Sequence, residues 1–199
     1  MIVATPIKTE EKKVYSLEEY LALEENAEEK HEYHDGEIIK MTGGTTNHNI
    51  LALKIASLFL SFLEEENYQI YIGDVRLWIE EYHRYTYPDV MVIEGEQVYE
   101  GNGKNTVINP LLIVEVLSNS TKDYDQNDKF DSYRTLPSLR EYILIDQYKY
   151  YVKQFTKTPE NKWLLTDYIG EDATVKLESI NLEISLKTLY KKVNFQFND

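Results

Sequence analysis

Two acids in this chain stand where acids are costly. Glu115 lies inside 111–117, a near-continuous apolar run that reads as a strand buried on both faces. A carboxylate there costs several kcal/mol unless a cation or hydrogen-bond donors compensate it, so Glu115 needs a partner. Asp89 stands at the start of another apolar run, after Pro88 and before Val90, Met91, Val92 and Ile93. Two neighbouring strands carrying one acid each would bring both carboxylates to one cation, and hard oxygen ligands of this kind suit Mg²⁺ or Mn²⁺. A purely structural account stands beside this one. In it, Asp89 caps the start of a strand after Pro88, and Glu115 forms a buried ion pair with Lys129 or Arg134.

The elements that must position these acids are legible in outline. Ser16 followed by Glu19 predicts a capping box opening a helix to about Ala27. Asp35-Gly36 between strand-like runs predicts a hairpin within 31–41. The span from Thr46 to about Glu66 predicts a long helix packed on a sheet, capped by Thr46 or Asn47, with His48 in its first turn. Strands are expected at 68–72, 75–79, 87–93, 111–117 and 141–146. A helix holding Lys129, Phe130, Tyr133 and Leu136 should stop at Pro137, and further β segments follow at 150–155, 163–169, 174–177 and 182–184. The expected fold is α/β of the α+β kind: a central mixed β-sheet flanked by helices, with extra C-terminal β segments. Without a Pro/Gly/Ser linker, repeat or low-complexity block, 1–199 reads as one domain. Its parts would be an N-terminal arm (1–14), a core (about 15–146) and a C-terminal β extension (147–199).

Three stretches share a pattern with a known family. They are Glu32-Tyr33-His34-Asp35-Gly36-Glu37-Ile38-Ile39-Lys40-Met41 with His48 beyond; Tyr87-Pro88-Asp89-Val90; and Ile113-Val114-Glu115-Val116-Leu117-Ser118-Asn119-Ser120-Thr121, continued by Asp125, Lys129, Tyr133 and 141–146. In this order the set resembles the PD-(D/E)XK nucleases, and more closely one branch, the Uma-two family of restriction-endonuclease-like proteins. The resemblance covers roughly 15–146. It implies a restriction-endonuclease-like core and metal-assisted hydrolysis of DNA phosphodiesters. Asp89, Glu115 and the backbone carbonyl of Val116 would hold Mg²⁺ or Mn²⁺.

One position departs from the superfamily pattern. Leu117 occupies the place of the (D/E)XK lysine, and an apolar side chain neither polarises water nor stabilises phosphate charge. Either the site is inactive or the lysine comes from elsewhere. The resemblance points to Lys129 on the following helix, in preference to Lys122 in a polar loop; a long lysine there would place its ammonium where one from position 117 would have pointed. Glu32 is implied as a further metal or supporting acid, and His48 as a contact to water or phosphate. Taken singly, Glu32 reads as a solvated acid, His48 as a helix-start residue, and Lys129 as an exposed partner of Asp125.

Composition bounds the rest. The 199 residues include no cysteine, which removes disulfides, thiol nucleophiles and Cys-ligated zinc. No apolar run is long enough for a membrane span, and the first residues lack a secretory signal, so the expectation is a cytoplasmic protein without a membrane partner. The net charge of −14 argues against nonspecific binding to polyanions. Most of the acidic excess falls in 1–103, however, and the half with Glu115 and Lys129 is nearly neutral. There, Tyr148, Tyr150 and Tyr151 beside Lys149 and Lys153 form an aromatic and basic cluster suited to nucleic acid or a second subunit. The leading expectation is a Mg²⁺-dependent DNA endonuclease, working as a homodimer because cutting two strands is simplest with two sites related by two-fold symmetry. The alternative is a noncatalytic interaction or dimerisation module on the same fold, favoured by Leu117 and the acidity.

Overall fold

The computed structural model describes residues 13–63, 67–118 and 124–196. Most of the N-terminal arm, and with it Asn119, Ser120, Thr121 and Lys122, lies outside them.

The chain opens with α1 (Leu17–Glu25), closed at its start by the expected capping box: Ser16 Oγ accepts from the Glu19 amide, and the Glu19 carboxylate accepts from the Ser16 amide. The helix buries Tyr20 against Tyr33 and Tyr85. Strands β1 (His31–His34) and β2 (Glu37–Lys40) form the expected hairpin. Asp35 (φ 43°) and Gly36 (φ 99°) give its turn two left-handed residues, the geometry that matches the twist of the flanking strands.

Next comes α2 (Thr46–Phe62), whose cap is Thr45, one residue earlier than expected. Thr45 is extended (φ −71°, ψ 169°) and its hydroxyl accepts from the His48 amide three residues on, whereas Asn47 is occupied elsewhere. The Asn47 amide donates to the Asn194 carbonyl and accepts from the Asn194 amide, tying the helix start to the chain's last described residues.

Strands β3 (Tyr68–Ile72), β4 (Arg76–Ile79), β5 (Arg84–Thr86) and β6 (Val90–Glu94) follow. The expected strand 87–93 starts only at Val90, because Pro88 has no amide with which to continue a ladder, and this break divides β6 from the preceding β5. The division sends β5 and β6 to different sheets, so the described residues hold two larger sheets where one was expected. One has the order β2-β1-β5-β4-β7, with β7 at Thr106–Val107. The other has the order β11-β10-β9-β8-β6-β3, with β8 (Leu112–Leu117), β9 (Glu141–Asp146), β10 (Tyr151–Lys157) and β11 (Trp163–Ile169). It is mixed: β8 and β9 run parallel, and the other neighbours antiparallel. A hairpin of β12 (Thr174–Leu177) and β13 (Leu182–Ser185) and the short α4 (Leu186–Leu189) complete the chain. Among the described residues, no helix is long and apolar enough to cross a membrane.

Side chains of β8 alternate between two cores. Leu112, Val114 and Val116 face α2 and the β12–β13 hairpin; Ile113 and Leu117 face the opposite layer, with Leu77, Tyr133 and Tyr142. Glu115 falls between Ile113 and Leu117 on that second face, where the chain must supply its partners.

Candidate active site

Register brings the two acids together. Val90 of β6 pairs with Val114 of β8 in an antiparallel ladder, and one further step sets Asp89 across from Glu115 on the same face. Asp89 is held at both oxygens: Oδ2 accepts from the Val116 amide at 2.7 Å, and Oδ1 lies 3.0 Å from His48 Nε2. The cap at Thr45 fixes His48 in the first turn of α2. Burial works against protonation of His48, but its bond to Asp89 and the charges of Asp89 and Asp125 carry its pKa above the ordinary value.

The partners of Glu115 come from one helical face. A π-helical turn (Asp125–Lys129) leads into α3 (Phe130–Tyr133), in place of the regular helix expected there. Such widened turns recur at functional sites. Asp125, Lys129 and Tyr133, four residues apart, point the same way. Lys129 Nζ lies 3.0 Å from Glu115 Oε1, 3.3 Å from Asp125 Oδ1 and 3.8 Å from Glu32 Oε1. The Tyr133 hydroxyl donates to the same Glu115 oxygen at 2.8 Å. Glu115 therefore pairs with Lys129, while Arg134 turns away to Asp131. Lys129 is 7% exposed, against the exposed helix position that composition alone would give it.

One ammonium thus serves three carboxylates. Burial disfavours the charged form of Lys129, but Glu115 and the other anions around it hold its pKa well above the ordinary value. Glu115 is left undercompensated: burial, and then the charges of Asp89 and Asp125, push it up to about 8 against the pull of Lys129. Glu32 behaves oppositely. Burial would raise it, yet Lys129, His34 and Thr86 together hold it down to about 2. Its Oε1 accepts from the Thr86 hydroxyl, and its Oε2 lies 3.0 Å from His34 Nε2 and 3.3 Å from the Tyr124 hydroxyl. Composition suggested a solvated acid at 32, and the structure buries it.

All six residues singled out from the sequence, Glu32, His48, Asp89, Glu115, Val116 and Lys129, line one cavity of about 530 Å³, together with His34, Tyr124 and Asp125. Leu117 does not; it is packed in the core. Sequence reasoning passed over Tyr133 as a donor, Tyr124, Thr86 and Gln147. Gln147 accepts from Thr45 and donates to the Leu117 carbonyl at 2.8 Å, joining the start of α2 to the end of β8. The spacing of Asp125, Lys129 and Tyr133 was the available signal for Tyr133; Thr86 and Gln147 leave no local pattern.

Four acids on the cavity wall face Lys129 and a Lys40 already paired with Glu29, so the site is short of positive charge. Among the described residues, no three His, Asp or Glu side chains converge into a ready metal cage. A cation between Asp89 and Glu115 would draw its remaining ligands from backbone, water or substrate, which is the habit of Mg²⁺.

Comparison with known proteins gives the fold and the family of the chain. A solved structure described as a putative nuclease belonging to DUF820, from Anabaena variabilis, superposes with a TM-score of 0.74 at 21% identity, covering 89% of this chain and 98% of its own; it shares the fold. Two proteins of Synechocystis sp. are similar along nearly their whole length. The uncharacterized protein sll1609 is 42% identical over 182 residues, which is 92% of this chain and 99% of its own. The uncharacterized protein slr1290 is 34% identical over 180 residues, 90% and 93% respectively. The profile of the Uma2 family, described as "putative restriction endonuclease", matches residues 17–188, and the chain therefore belongs to that family.

Proposed function

We propose that this protein is a divalent-metal-dependent DNA endonuclease that hydrolyses phosphodiester bonds. One observation carries the reading: Asp89 and Glu115 line one cavity from adjacent strands, and the buried Lys129 ammonium lies 3.0 Å from Glu115, doing from a neighbouring helix what Leu117 is unable to do. Family membership supports the nuclease chemistry and DNA as the substrate.

The donor set fits Mg²⁺ or Mn²⁺. Asp89, Glu115 and the Val116 carbonyl would hold the ion, and its positive charge would offset the repulsion that Asp89 and Asp125 exert on Glu115. When bound, the metal neutralises phosphate charge and acidifies water. The chain's own groups do the rest. Lys129, kept protonated by its three carboxylates, aligns the attacking water and offsets charge building on the scissile phosphate. His48 and the Val116 amide fix both oxygens of Asp89, so its orientation is set before substrate arrives. Glu32, anchored by Thr86 and His34, holds Lys129 from the far side. A homodimer would present two such sites to the two strands of a duplex.

The test is relaxation and linearisation of supercoiled plasmid by the purified chain with Mg²⁺, with EDTA, and in the Asp89→Ala variant. Cleavage should need Mg²⁺ and vanish in Asp89→Ala with the fold intact by circular dichroism. Cleavage that persists in the variant would refute the metal assignment.

A further inference from the structure

Several basic side chains on the described surface are paired with acids. Lys30 is bound to Asp74, Lys40 to Glu29 and Arg134 to Asp131. Lys149 and Lys153 lie beside the cavity, and the contacts that orient them are not ionic. Lys149 Nζ sits 5.0 Å above the ring of Tyr151, and Lys153 Nζ donates to Gln126 Oε1 at 2.7 Å. Asp167, across from Lys153 in the β10–β11 register, is engaged by the Tyr151 hydroxyl at 2.8 Å. Both ammonium groups are aimed while their charge remains available.

Their position ties them to the cavity. Tyr148, next to Lys149, is part of the cavity wall, and Gln126 follows Asp125, another wall residue. The strip therefore starts at the carboxylate cluster and leads away from it along the turn into β10. A cavity that holds four carboxylates repels a phosphodiester strand, and positive charge beside it is what would hold that strand in register with the metal.

We propose that Lys149 and Lys153, aimed by Tyr151 and Gln126, form the contact for the sugar-phosphate backbone of the substrate strand flanking the scissile bond. The proposal rests on the nuclease reading and gives it a binding surface. Lysines at fixed positions suit phosphates as point charges, and each phosphate neutralised releases condensed counterions. The strip thus supplies affinity and register without reading base sequence.

The test uses the full chain and a fluorescein-labelled duplex, with Ca²⁺ in place of Mg²⁺ so that binding is followed by anisotropy across a salt series. Lys149→Gln/Lys153→Gln should bind about tenfold more weakly near physiological salt, and its log Kd against log salt should be shallower by about 1 to 2. With Mg²⁺, its cleavage of subsaturating DNA should fall in step with its affinity. Lys187→Gln, at a lysine already paired with Glu171, should change none of these. Unchanged affinity and salt slope in the double variant, with wild type cutting normally, would overturn the strip and leave the nuclease reading standing. Wild type that binds DNA through the strip but never cuts would uphold the strip and end the nuclease reading. A double variant that loses a dimer by light scattering while keeping DNA affinity would make the strip a subunit interface and overturn the proposal.

Discussion

Lys129 is the residue on which the site turns. It is nearly enclosed, yet its ammonium has Glu115, Asp125 and Glu32 around it, and the resulting cluster keeps a net negative charge. Removing one partner of such a group is more harmful than never having built it, because the remaining charges stay buried. Glu32 shows the stabilising side of this balance, since its pKa falls from an ordinary 4.5 to about 2 on folding. For an acid whose folded pKa is depressed, the stabilisation is fully present above the unfolded value and is lost as pH falls through the folded one. Between pH 4.5 and 2, Glu32 should therefore give up about 3 kcal/mol of stability. Glu32→Gln should lose a contribution of that order at pH 7 and show a flatter acid limb in urea melts taken from pH 7 to 3. Parallel acid limbs in the two proteins would sink this account. Lys129 and Glu115 were readable as partners because an acid in an apolar strand must be answered. Burial of Glu32 was not readable, since beside its strand neighbour His34 the enclosure comes from Thr86 and Tyr124, on elements remote in sequence.

The elements that carry these residues divide into those written locally and those decided by packing. Ser16 with Glu19, and Asp35-Gly36, are local chemistry, and both the helix start and the hairpin stand where those residues imply. The assignment of β5 and β6 to different sheets depends on where β5 finds β1 and β4, which no local pattern records beyond Pro88 itself. The loop before α2 combines both. A Cβ placed on Gly44 would come within 2.9 Å of the His48 ring, and that ring is held by Asp89. Gly44→Ala should thus displace the imidazole and loosen Asp89 although no polar group is removed. A fall of about tenfold in cleavage rate is expected, on the scale lost when a group supporting a metal ligand is removed. In a His48→Ala background the same glycine substitution should cost nothing further. Equal losses in both backgrounds would show that Gly44 acts through the loop and not through His48.

At the scale of the whole molecule, the charge of −14 sets how any metal experiment must be read. Self-repulsion in a chain this acidic weakens the compact state, so added salt of any kind stabilises it by screening. A cation held in the cavity does something distinct: it binds the folded chain in preference to the unfolded one and adds stability by mass action, about 1.4 kcal/mol at tenfold excess over Kd. For a chain of this size that corresponds to a rise of roughly 3 to 6 °C in Tm. The two effects separate if Tm is compared in MgCl₂ and in KCl at equal ionic strength, for wild type and for Asp89→Asn. Wild type should gain more from Mg²⁺ than from K⁺, and Asp89→Asn should lose that difference while keeping the shared response to salt. Since the acids outside the cavity are untouched by the substitution, an Mg²⁺ increment that survives it would assign the ion to the general acidic surface and leave Asp89 as a structural partner of His48 and Glu115 as one of Lys129.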